Sequence, residues 1–279
     1  MGSSQAEKAR LFRGLHERPG AFVIPNPWDA GTARILAGLG FEALATTSAG
    51  LASTIGRRDS EGAVTRDEAL THARTIVQAT PLPVSADLEN GFGDAPEAAA
   101  ETIRLAAGVG LVGGSIEDAT GDSALPIYDF AHAVERIAAA VEAARSASFP
   151  FTLTARAENF LFGRPDLDDT IRRLQAFEAA GADVLYAPGL RDLEAIRTVC
   201  AAVSRPVNVV MGLSGASFSV EELAAAGVKR ISLGSALARA ALGAFLRGAR
   251  EINDEGTFTF AGMAASFADL DPFMLGRND

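Results

Sequence analysis

The stretch Pro83-Val84-Ser85-Ala86-Asp87-Leu88-Glu89-Asn90-Gly91-Phe92-Gly93 is the most informative part of the chain. It begins as a short apolar run, typical of a buried strand, and ends in two carboxylates and a glycine-flanked turn. Because side chains alternate along a strand, the pattern predicts that Asp87 and Glu89 point to one face, about 6–7 Å apart along the chain. Two such acids repel each other unless a cation or a hydrogen-bond donor lies between them. A hard divalent ion such as Mg²⁺ would supply that charge; the alternative is that one acid caps the next helix and the other is solvated.

Seven further apolar runs resemble the one that ends at Asp87, and together the eight predict buried parallel strands. They are Ala21–Pro25, Glu42–Thr47, Leu82–Asp87, Leu111–Glu117, Pro150–Arg156, Asp183–Ala187, Pro206–Met211 and Val228–Gly234. Amphipathic, Ala-rich stretches that favour helix alternate with them. The predicted helices are Ser4–His16, Asp29–Leu39, Thr65–Ala79, Ala95–Gly108, Tyr128–Ser146, Asp166–Ala180, Leu193–Ala202, Ser219–Ala226 and Ser235–Asn253.

Strict alternation of strand and helix implies parallel pairing, and eight such units close into a (β/α)₈ barrel. A doubly wound open α/β sheet is the alternative fold, but eight units and the lack of a GxGxxG motif favour the barrel. We expect a single domain over residues 1–279, with an N-terminal helix, a barrel over about 21–253 and a tail over 254–279. The tail contains six large apolar residues, Phe258, Phe260, Met263, Phe267, Phe273 and Met274. We expect them to be buried, either on their own barrel or on a neighbouring subunit, and the second would be a reason to form a homo-oligomer.

Composition narrows the class of partner and the compartment. The formal charge is −10 and no basic patch occurs, so we expect neither a nucleic acid nor an anionic membrane surface as partner. The single cysteine, Cys200, excludes an internal disulfide framework and fits a reducing compartment. The polar start of the chain is unlike a secretory signal, and no apolar run approaches the roughly 20 residues that cross a bilayer. The prediction is a soluble cytoplasmic protein.

In a barrel of this class the active site lies at the carboxyl ends of the strands, so the residues there are the candidates. They are Thr47, Ser48, Ala49 and Asp59 after strand 2, Asp87 and Glu89 after strand 3, Glu117 and Asp118 after strand 4, Arg156 and Glu158 after strand 5, and Asn208 on strand 7. Helix capping would explain about half of these acids. It explains poorly why several acids and an arginine concentrate on neighbouring strands.

Residue types that are missing from the strand ends exclude other chemistries. The two lysines, Lys8 and Lys229, fall in the first helix and at the start of strand 8, which excludes a Schiff-base aldolase. The three histidines fall in predicted helices, so a histidine-ligated zinc or iron centre has no ligands. What remains is carboxylate, arginine, hydroxyl and backbone donors around Mg²⁺. That set suits stabilisation of an enolate or another oxyanion.

These residues resemble the isocitrate lyase / phosphoenolpyruvate mutase superfamily over most of the chain. Asp87-Leu88-Glu89-Asn90-Gly91-Phe92-Gly93 is similar to its D-x-D-x-G-[FY]-G motif, and Ser115-Ile116-Glu117-Asp118 to its I-E-D motif. Thr47-Ser48-Ala49-Gly50-Leu51, with Asp59 beyond it, and Ala155-Arg156-Ala157-Glu158 complete the set. Each motif is weak alone, but four in this order on these strands are specific.

The resemblance implies a Mg²⁺-dependent barrel enzyme that breaks or moves a C–C or C–P bond beside a 2-oxo acid. It implies Asp87, Glu89 and Glu117 as metal ligands, with Asp59 supporting the metal's surroundings. Thr47, Ser48 and Ala49 would bind the substrate carboxylate, Arg156 the oxygen on which negative charge builds, and Asn208 a distal group. The expected catalytic residues are Arg156, Asp59 and Glu117. Tetramers that exchange a C-terminal helix are also common in the family.

Two departures from the family pattern shape the functional hypothesis. The loop after the I-E-D motif, residues 119–128, lacks the Lys, Cys, His or Asn of the lyases and mutases, and Tyr186 stands where the lyases place a glutamate. We therefore expect a Mg²⁺-dependent lyase of a small 2-oxo acid, with decarboxylation of an oxaloacetate-type substrate favoured and water or Tyr128 as proton donor. The alternatives are a C–P bond enzyme, of the mutase or phosphonopyruvate hydrolase type, and a 2-oxo-acid-binding relative without catalysis.

Overall fold

The eight predicted strands form one parallel sheet that curves into a nearly closed barrel. The computed structural model describes residues 3–59, 62–212, 215 and 217–274, so the last five residues of the predicted tail lie outside it. The strands run in the order β1-β8-β7-β6-β5-β4-β3-β2. They are β1 Phe22–Ile24, β2 Leu44–Ala45, β3 Val84–Asp87, β4 Gly113–Glu117, β5 Thr152–Arg156, β6 Val184–Tyr186, β7 Val207–Val210 and β8 Arg230–Ser232. A bond from the Ala45 amide to the Pro25 carbonyl oxygen (3.1 Å) joins the two remaining edges. The predicted TIM-barrel fold is confirmed.

The helices alternate with the strands as predicted, and most of them begin at a residue whose side chain caps the first turn. They are α1 Gln5–Glu17, α2 Ala30–Gly38, α3 Ser48–Thr54, α4 Arg66–Ala79, α5 Pro96–Gly108, α6 Phe130–Arg145, α7 Leu167–Ala179, α8 Leu193–Ala202, α9 Val220–Ala225, α10 Ala236–Glu255 and α11 Phe267–Met274, with a 3₁₀ turn over Thr259–Met263. Ser4, Thr65 and Ser219 each form a capping box that satisfies free amides at a helix start. None of the helices in the described ranges is long and apolar enough to span a membrane. Two short helices, α3 and α11, were not predicted.

One row of paired residues connects the mouth of the barrel to its interior. Glu117 pairs with Arg156, Arg156 with Tyr186, Tyr186 with Asn208, and Asn208 with Arg230. The first three are the last residues of their strands, whereas Arg230 is the first residue of β8. Because strands in such a barrel are tilted to its axis, the row descends from the carboxyl ends of β4–β6 to the amino end of β8. The expectation that site residues lie at the carboxyl ends of the strands therefore applies to Glu117, Arg156 and Tyr186 but not to Arg230.

Helix α1 closes the amino-terminal end of the barrel. Phe12 is fully buried in a small apolar cluster with the strand residues Phe22 and Ile24. The Gln5 side chain donates to the carbonyl oxygens of Ala107 and Leu111 at 2.8 and 2.9 Å, which ties the helix across the barrel end. Burial of such large side chains contributes about 1.5–3 kcal/mol each, so the N-terminal segment belongs to the stability of the barrel.

The C-terminal tail departs from the expectation that its apolar side chains are buried. Helix α11 does pack on α2, where the Arg34 guanidinium donates to the Met274 carbonyl oxygen at 2.6 Å. Phe260 and Phe273 are partly buried, but Phe258, Met263 and Phe267 are 65%, 81% and 84% exposed on the single chain. Packing of these three side chains on their own barrel is therefore not observed. Burial against a neighbouring subunit, the other possibility, stays a prediction.

Candidate active site

The turn after β3 places Glu89 differently from the prediction. The strand ends at Asp87, and Glu89 lies in the left-handed region with φ 49°, so strand alternation does not decide where its side chain points. Its amide donates to the Asp87 carboxylate at 3.3 Å, and the Gly91 amide closes the turn on the Leu88 carbonyl oxygen at 2.9 Å. Gly91 has φ 85°, and a Cβ there would lie 2.8 Å from the Ala99 Cα, so the turn requires glycine. Strained non-glycine backbone is concentrated at functional sites, which fits Glu89.

Arg156 is the centre of the candidate site, and its guanidinium contacts three carboxylates. Nη1 lies 2.9 Å from Asp87 Oδ1, Nη2 lies 3.0 Å from Glu117 Oε2, and Nε lies 2.8 Å from Glu158 Oε1. The Arg156 side chain is only 12% exposed, and Glu158 is fully buried. Three of the five guanidinium N–H groups are used in these bonds, so two remain for a ligand. The predicted neighbourhood of Asp87, Glu117 and Arg156 is present in the structure, and Glu158 joins it.

Negative charge exceeds positive charge at this mouth. Burial, with the nearby Asp87 and Asp59 carboxylates, raises the pKa of Glu89 to about 7. Burial likewise raises the pKa of Glu117 above its usual range and that of Glu158 to about 7, although Arg156 opposes both shifts. Glu158 Oε2 has no hydrogen-bond partner in the structure. Three carboxylates on one guanidinium, with Glu89 nearby, leave a negative charge that a bound cation would compensate.

Two cavities are lined by these carboxylates. The inner cavity, of about 160 Å³, opens into the barrel between Thr47, Asp87, Arg156 and Asn208. The outer cavity, of about 520 Å³, lies between the loops after β2, β3 and β4 and is lined by Glu89 and Glu117. Asp59, Ser48 and Ala49 also line the inner cavity. The two cavities together therefore contact every residue of the predicted site.

The segment after β2 forms the wall of the inner cavity opposite Arg156. Thr47 caps helix α3 by accepting a bond from the Gly50 amide at 3.4 Å. The Ser48 amide donates to Asp87 Oδ2 at 3.3 Å, so this wall and the β3 carboxylate are joined directly. Asn208 is placed deeper, where its amide donates to the Ser232 hydroxyl at 3.0 Å. The roles predicted for these residues stay predictions.

The loop after Glu117 is ordered by its own backbone and places no acid or base in either cavity. Ala119 and Ile127 form an isolated antiparallel bridge, and the Thr120 amide donates to the Pro126 carbonyl oxygen at 3.1 Å. The loop contributes Ala119, Thr120 and Gly121 to the outer cavity. Tyr128 follows it, but its hydroxyl donates to Asp94 at 2.6 Å, and burial raises its pKa to about 12. Tyr128 lines neither cavity, so the guess that it donates a proton is not supported.

The donor set fits Mg²⁺ in chemistry and charge. Asp87, Glu89 and Glu117 offer only carboxylate oxygens, which Mg²⁺ prefers, and these three acids outnumber the one guanidinium beside them. Among the residues that the structure describes, no three His, Cys, Asp or Glu side chains are grouped closely enough to hold a metal as they stand. Arg156 bonds to both Asp87 and Glu117, so an ion would compete with it for these oxygens.

Two further arginines shape the site, and sequence reasoning missed both. Arg136 on α6 is fully buried and donates to backbone carbonyl oxygens of the turn after β3, among them Gly93 (2.7 Å) and Asn90. Arg230 on β8 lines the inner cavity. A charged residue on the inward face of a short apolar strand was a signal for Arg230. No signal existed for Arg136, since its partners lie more than 40 residues away.

The fold and the site define a (β/α)₈ barrel protein with a carboxylate–arginine centre at the carboxyl ends of its strands. The family model for phosphoenolpyruvate phosphomutase matches residues 12–253. The chain belongs to this family, and hence to the phosphoenolpyruvate mutase / isocitrate lyase superfamily. Members of this superfamily are typically Mg²⁺-dependent lyases and mutases that act on 2-oxo acids.

Curated relatives of known and unknown activity align over most of the chain. An uncharacterised protein of Mycobacterium tuberculosis is 32% identical over 246 residues, which cover 87% of this chain and 89% of the relative. The 2-methylisocitrate lyase of Escherichia coli is 29% identical, over 78% of this chain and 75% of the lyase. The oxaloacetate decarboxylase of Bradyrhizobium diazoefficiens is also 29% identical, over 70% of this chain and 68% of that enzyme.

Solved structures share the architecture. A candidate lyase/mutase of Burkholderia cenocepacia is 63% identical, with a TM-score of 0.94, and the match covers 98% of this chain and 97% of that protein. Oxaloacetate acetylhydrolase in complex with its product oxalate is 25% identical, with a TM-score of 0.86, over 98% of this chain and 95% of that enzyme.

Proposed function

We propose that this protein is a Mg²⁺-dependent C–C lyase that cleaves next to a 2-oxo acid through an enolate of the pyruvate type, with an oxaloacetate-type decarboxylation favoured. The observation that carries the proposal is Arg156 held between Asp87 and Glu117 at the barrel mouth, at 2.9 and 3.0 Å. The relatives that act on oxaloacetate give further support.

In this proposal Asp87, Glu89 and Glu117 hold Mg²⁺, with Asp59 beside them. The ion would supply Lewis-acid polarisation of the 2-oxo group. Thr47, Ser48 and Ala49 bind the adjoining carboxylate with hydroxyl and backbone donors. In the reaction the C3–C4 bond breaks, its electron pair moves onto C3 and the C2 oxygen, and CO₂ leaves.

Arg156 is the residue that faces the growing negative charge. Its two free N–H groups donate to the C2 oxygen, and the three carboxylates on its other N–H groups fix its orientation. Such preorganised donors lower the barrier because they need no rearrangement as the charge develops. A solvent proton then reaches C3, since neither the loop 119–127 nor Tyr128 brings a donor to the cavities.

The first test is thermal unfolding with millimolar oxalate, with and without Mg²⁺. Oxalate is a planar dianion that mimics the pyruvate enolate, and a ligand that binds only the folded state raises the melting temperature. We expect a rise that requires both components. No rise would contradict the proposed site.

Turnover then separates the candidate reactions. Formation of pyruvate and CO₂ from oxaloacetate supports the lyase. The family match to phosphoenolpyruvate phosphomutase favours C–P chemistry as the second candidate, and release of phosphate from phosphonopyruvate, or its rearrangement, would support that instead. Saturable binding of a 2-oxo acid that is recovered unchanged would indicate a non-catalytic relative.

We also propose that the chain forms a homo-oligomer through α10 and the tail. Apolar side chains are exposed along this surface, with Phe245 70% and Phe267 84% exposed. An apolar cavity of about 240 Å³ lined by Trp28, Leu242 and Phe245 lies beside them. A second copy is the expected occupant, because the same side chains would otherwise stay in water. Light scattering should give the molar mass of a dimer or tetramer for the wild type, and Phe245→Glu should lower that molar mass. A monomeric wild type would contradict the proposal.

A further inference from the structure

Arg230 is a buried cation inside the barrel whose charge is not compensated. The residue is 6% exposed. Its Nε donates to Asn208 Oδ1 at 2.8 Å and its Nη2 to Thr154 Oγ1 at 3.0 Å, while Nη1 has no partner. Within the described part of the chain, no carboxylate lies within salt-bridge distance of it. Arg156, one layer of side chains nearer the mouth, has three carboxylates within that distance.

Such a residue costs stability, so its presence needs a reason. Removing a guanidinium from water without an anion is unfavourable, and a buried donor without an acceptor adds to the cost. Burial lowers the pKa of Arg230 to about 10, which leaves it charged at neutral pH. A methionine or leucine would fill the same space without this penalty.

The position of Arg230 relates it to the inner cavity. It lines that cavity together with the hydroxyl-bearing residues Ser85, Ser115 and Ser232. It also stands on the same register row as Arg156, three strands further along the barrel. The lower part of the cavity is thus rich in donors and contains a cation, whereas the carboxylates lie at the mouth.

From this arrangement we infer that Arg230 binds the distal anionic group of the substrate, so that the enzyme selects 2-oxo dianions such as a 2-oxo dicarboxylate over 2-oxo monoacids. The inference rests on the proposed function: the 2-oxo carboxylate end lies at the mouth, and the distal carboxylate points toward the floor. Arg230, which lines the cavity, would give this group a charge-assisted bond. Because this carboxylate loses its charge as CO₂ leaves, the bond is strongest with bound substrate and acts on substrate affinity more than on the chemical step.

A competing account gives Arg230 a purely structural role. His16 Nε2 is also buried without a partner, and Arg230 is close enough to depress the pKa of His16. A buried water between the two nitrogen atoms would satisfy both without any ligand. That account predicts a loss of stability on substitution but no change in ligand preference.

The test compares two probes of similar size in the presence of Mg²⁺ by calorimetry. Sulfopyruvate has a distal anion that cannot leave as CO₂, and 2-oxobutyrate has a methyl group in its place. We expect the wild type to bind sulfopyruvate at least about tenfold more tightly, and Arg230→Met to remove that preference. Arg230→Lys should retain part of it. Arg197→Met, on the exposed face of α8, is the matched control and should retain all of it.

Each outcome decides between the accounts. A wild type without preference for sulfopyruvate overturns the inference, and this result needs no variant to fold. An unchanged preference in a folded Arg230→Met protein overturns it in favour of the buried water. With oxaloacetate as substrate, the variant should raise KM more than it lowers kcat; an equal fall in kcat and kcat/KM would contradict the ground-state role.

Binding of oxalate tests the proposed function without testing the role of Arg230, because oxalate lacks the distal anionic group that Arg230 would bind. Oxalate binding that requires Mg²⁺ but shows no dianion preference in the wild type leaves the lyase proposal standing and removes the role of Arg230. Absence of oxalate binding removes both.

Discussion

Glu117 and Asp118 are neighbours in the chain, yet they belong to two differently built ion-pair clusters. Glu117 faces the barrel mouth and shares Arg156 with Asp87 and Glu158. Asp118 faces the helices, where Arg173 Nη1 lies 2.9 Å from its Oδ2 and the Glu158 amide donates to its Oδ1 at 2.8 Å. Both oxygens of Asp118 are satisfied, whereas the mouth has an excess of acids and a carboxylate oxygen without a partner.

The outer cluster around Arg173 stabilises the barrel, whereas the cluster around Arg156 is suited to binding a ligand. The outer cluster joins β4 to α7 through Arg173, which also bonds to Asp169 at 2.8 Å. The cluster at the mouth concentrates like charges, which weakens the protein without a ligand and favours binding of a cation. Glu117 is the last residue of β4 and Asp118 the first residue after it, and their contacts place the two side chains on opposite sides of the sheet.

Breaking the outer cluster should have the largest effect on stability. Asp118→Ala leaves the buried Arg173 with Asp169 as its remaining carboxylate partner and leaves the buried Glu158 amide without its acceptor, and we expect a loss of about 3–5 kcal/mol in the free energy of unfolding. Denaturant unfolding measures this. Glu117→Ala is the matched neighbour and should cost much less, because Arg156 retains two carboxylates; equal losses would contradict the division of roles.

Breaking the cluster at the mouth should affect activity. Arg156→Met removes the donors that face the developing oxyanion, and we expect kcat to fall about 10²–10³-fold with a suitable 2-oxo acid. Steady-state kinetics measures this, with Arg173→Lys as a control for general disruption. Retained activity in Arg156→Met would exclude it from the reaction.

Glu89 tests the excess of acids at the barrel mouth through the pH dependence of the free energy of unfolding. A carboxyl group whose pKa is raised to about 7 in the folded state loses stability as the pH rises from about 4.5 through 7, because the folded form disfavours the charge. Glu89→Gln should therefore stabilise the metal-free protein by about 1–2 kcal/mol at pH 8, and weaken Mg²⁺ binding. The gain should vanish at pH 4; a gain that does not depend on pH would contradict this origin.

His16 extends the comparison to the floor of the barrel, where the expected effect per pH unit is small. Burial, together with the nearby Arg230 and Lys229 charges, lowers the pKa of His16 to about 3. A histidine with a lowered folded pKa contributes stability that is present above pH 6.5 and is lost as the pH falls toward 3. We expect a loss of about 1 kcal/mol per pH unit below 6.5, which His16→Gln should remove. If His16→Gln left the slope unaltered, the pH dependence would have to come from other groups.

The parts of the site that could be predicted are those that local periodicity decides. Alternation along β3, β4 and β5 brings Asp87, Glu117 and Arg156 to one edge, because parallel strands end together. Gly40, between α2 and β2, has φ 90°, which is the left-handed conformation that a glycine at a helix end indicates from sequence. Glu89 was placed near Asp87 for the wrong reason, since its backbone leaves the strand.

The remainder depends on contacts between distant parts of the chain. Arg230 matters because of Asn208 and Thr154, 22 and 76 residues away. The α3 helix, Ser48–Thr54, is too short for a helical period to be visible, and its start is decided by the Thr47 cap. The exposure of Phe258 and Phe267 reflects a surface that a single chain leaves uncovered.

The closure of the barrel base by α1 places an apolar layer, with Phe12, Phe22 and Ile24, at the end of the barrel opposite the mouth. In the proposed reaction, carbon dioxide and the remaining acid would both leave through the mouth by which the substrate enters. The remaining acid would then have to leave before the next substrate molecule binds.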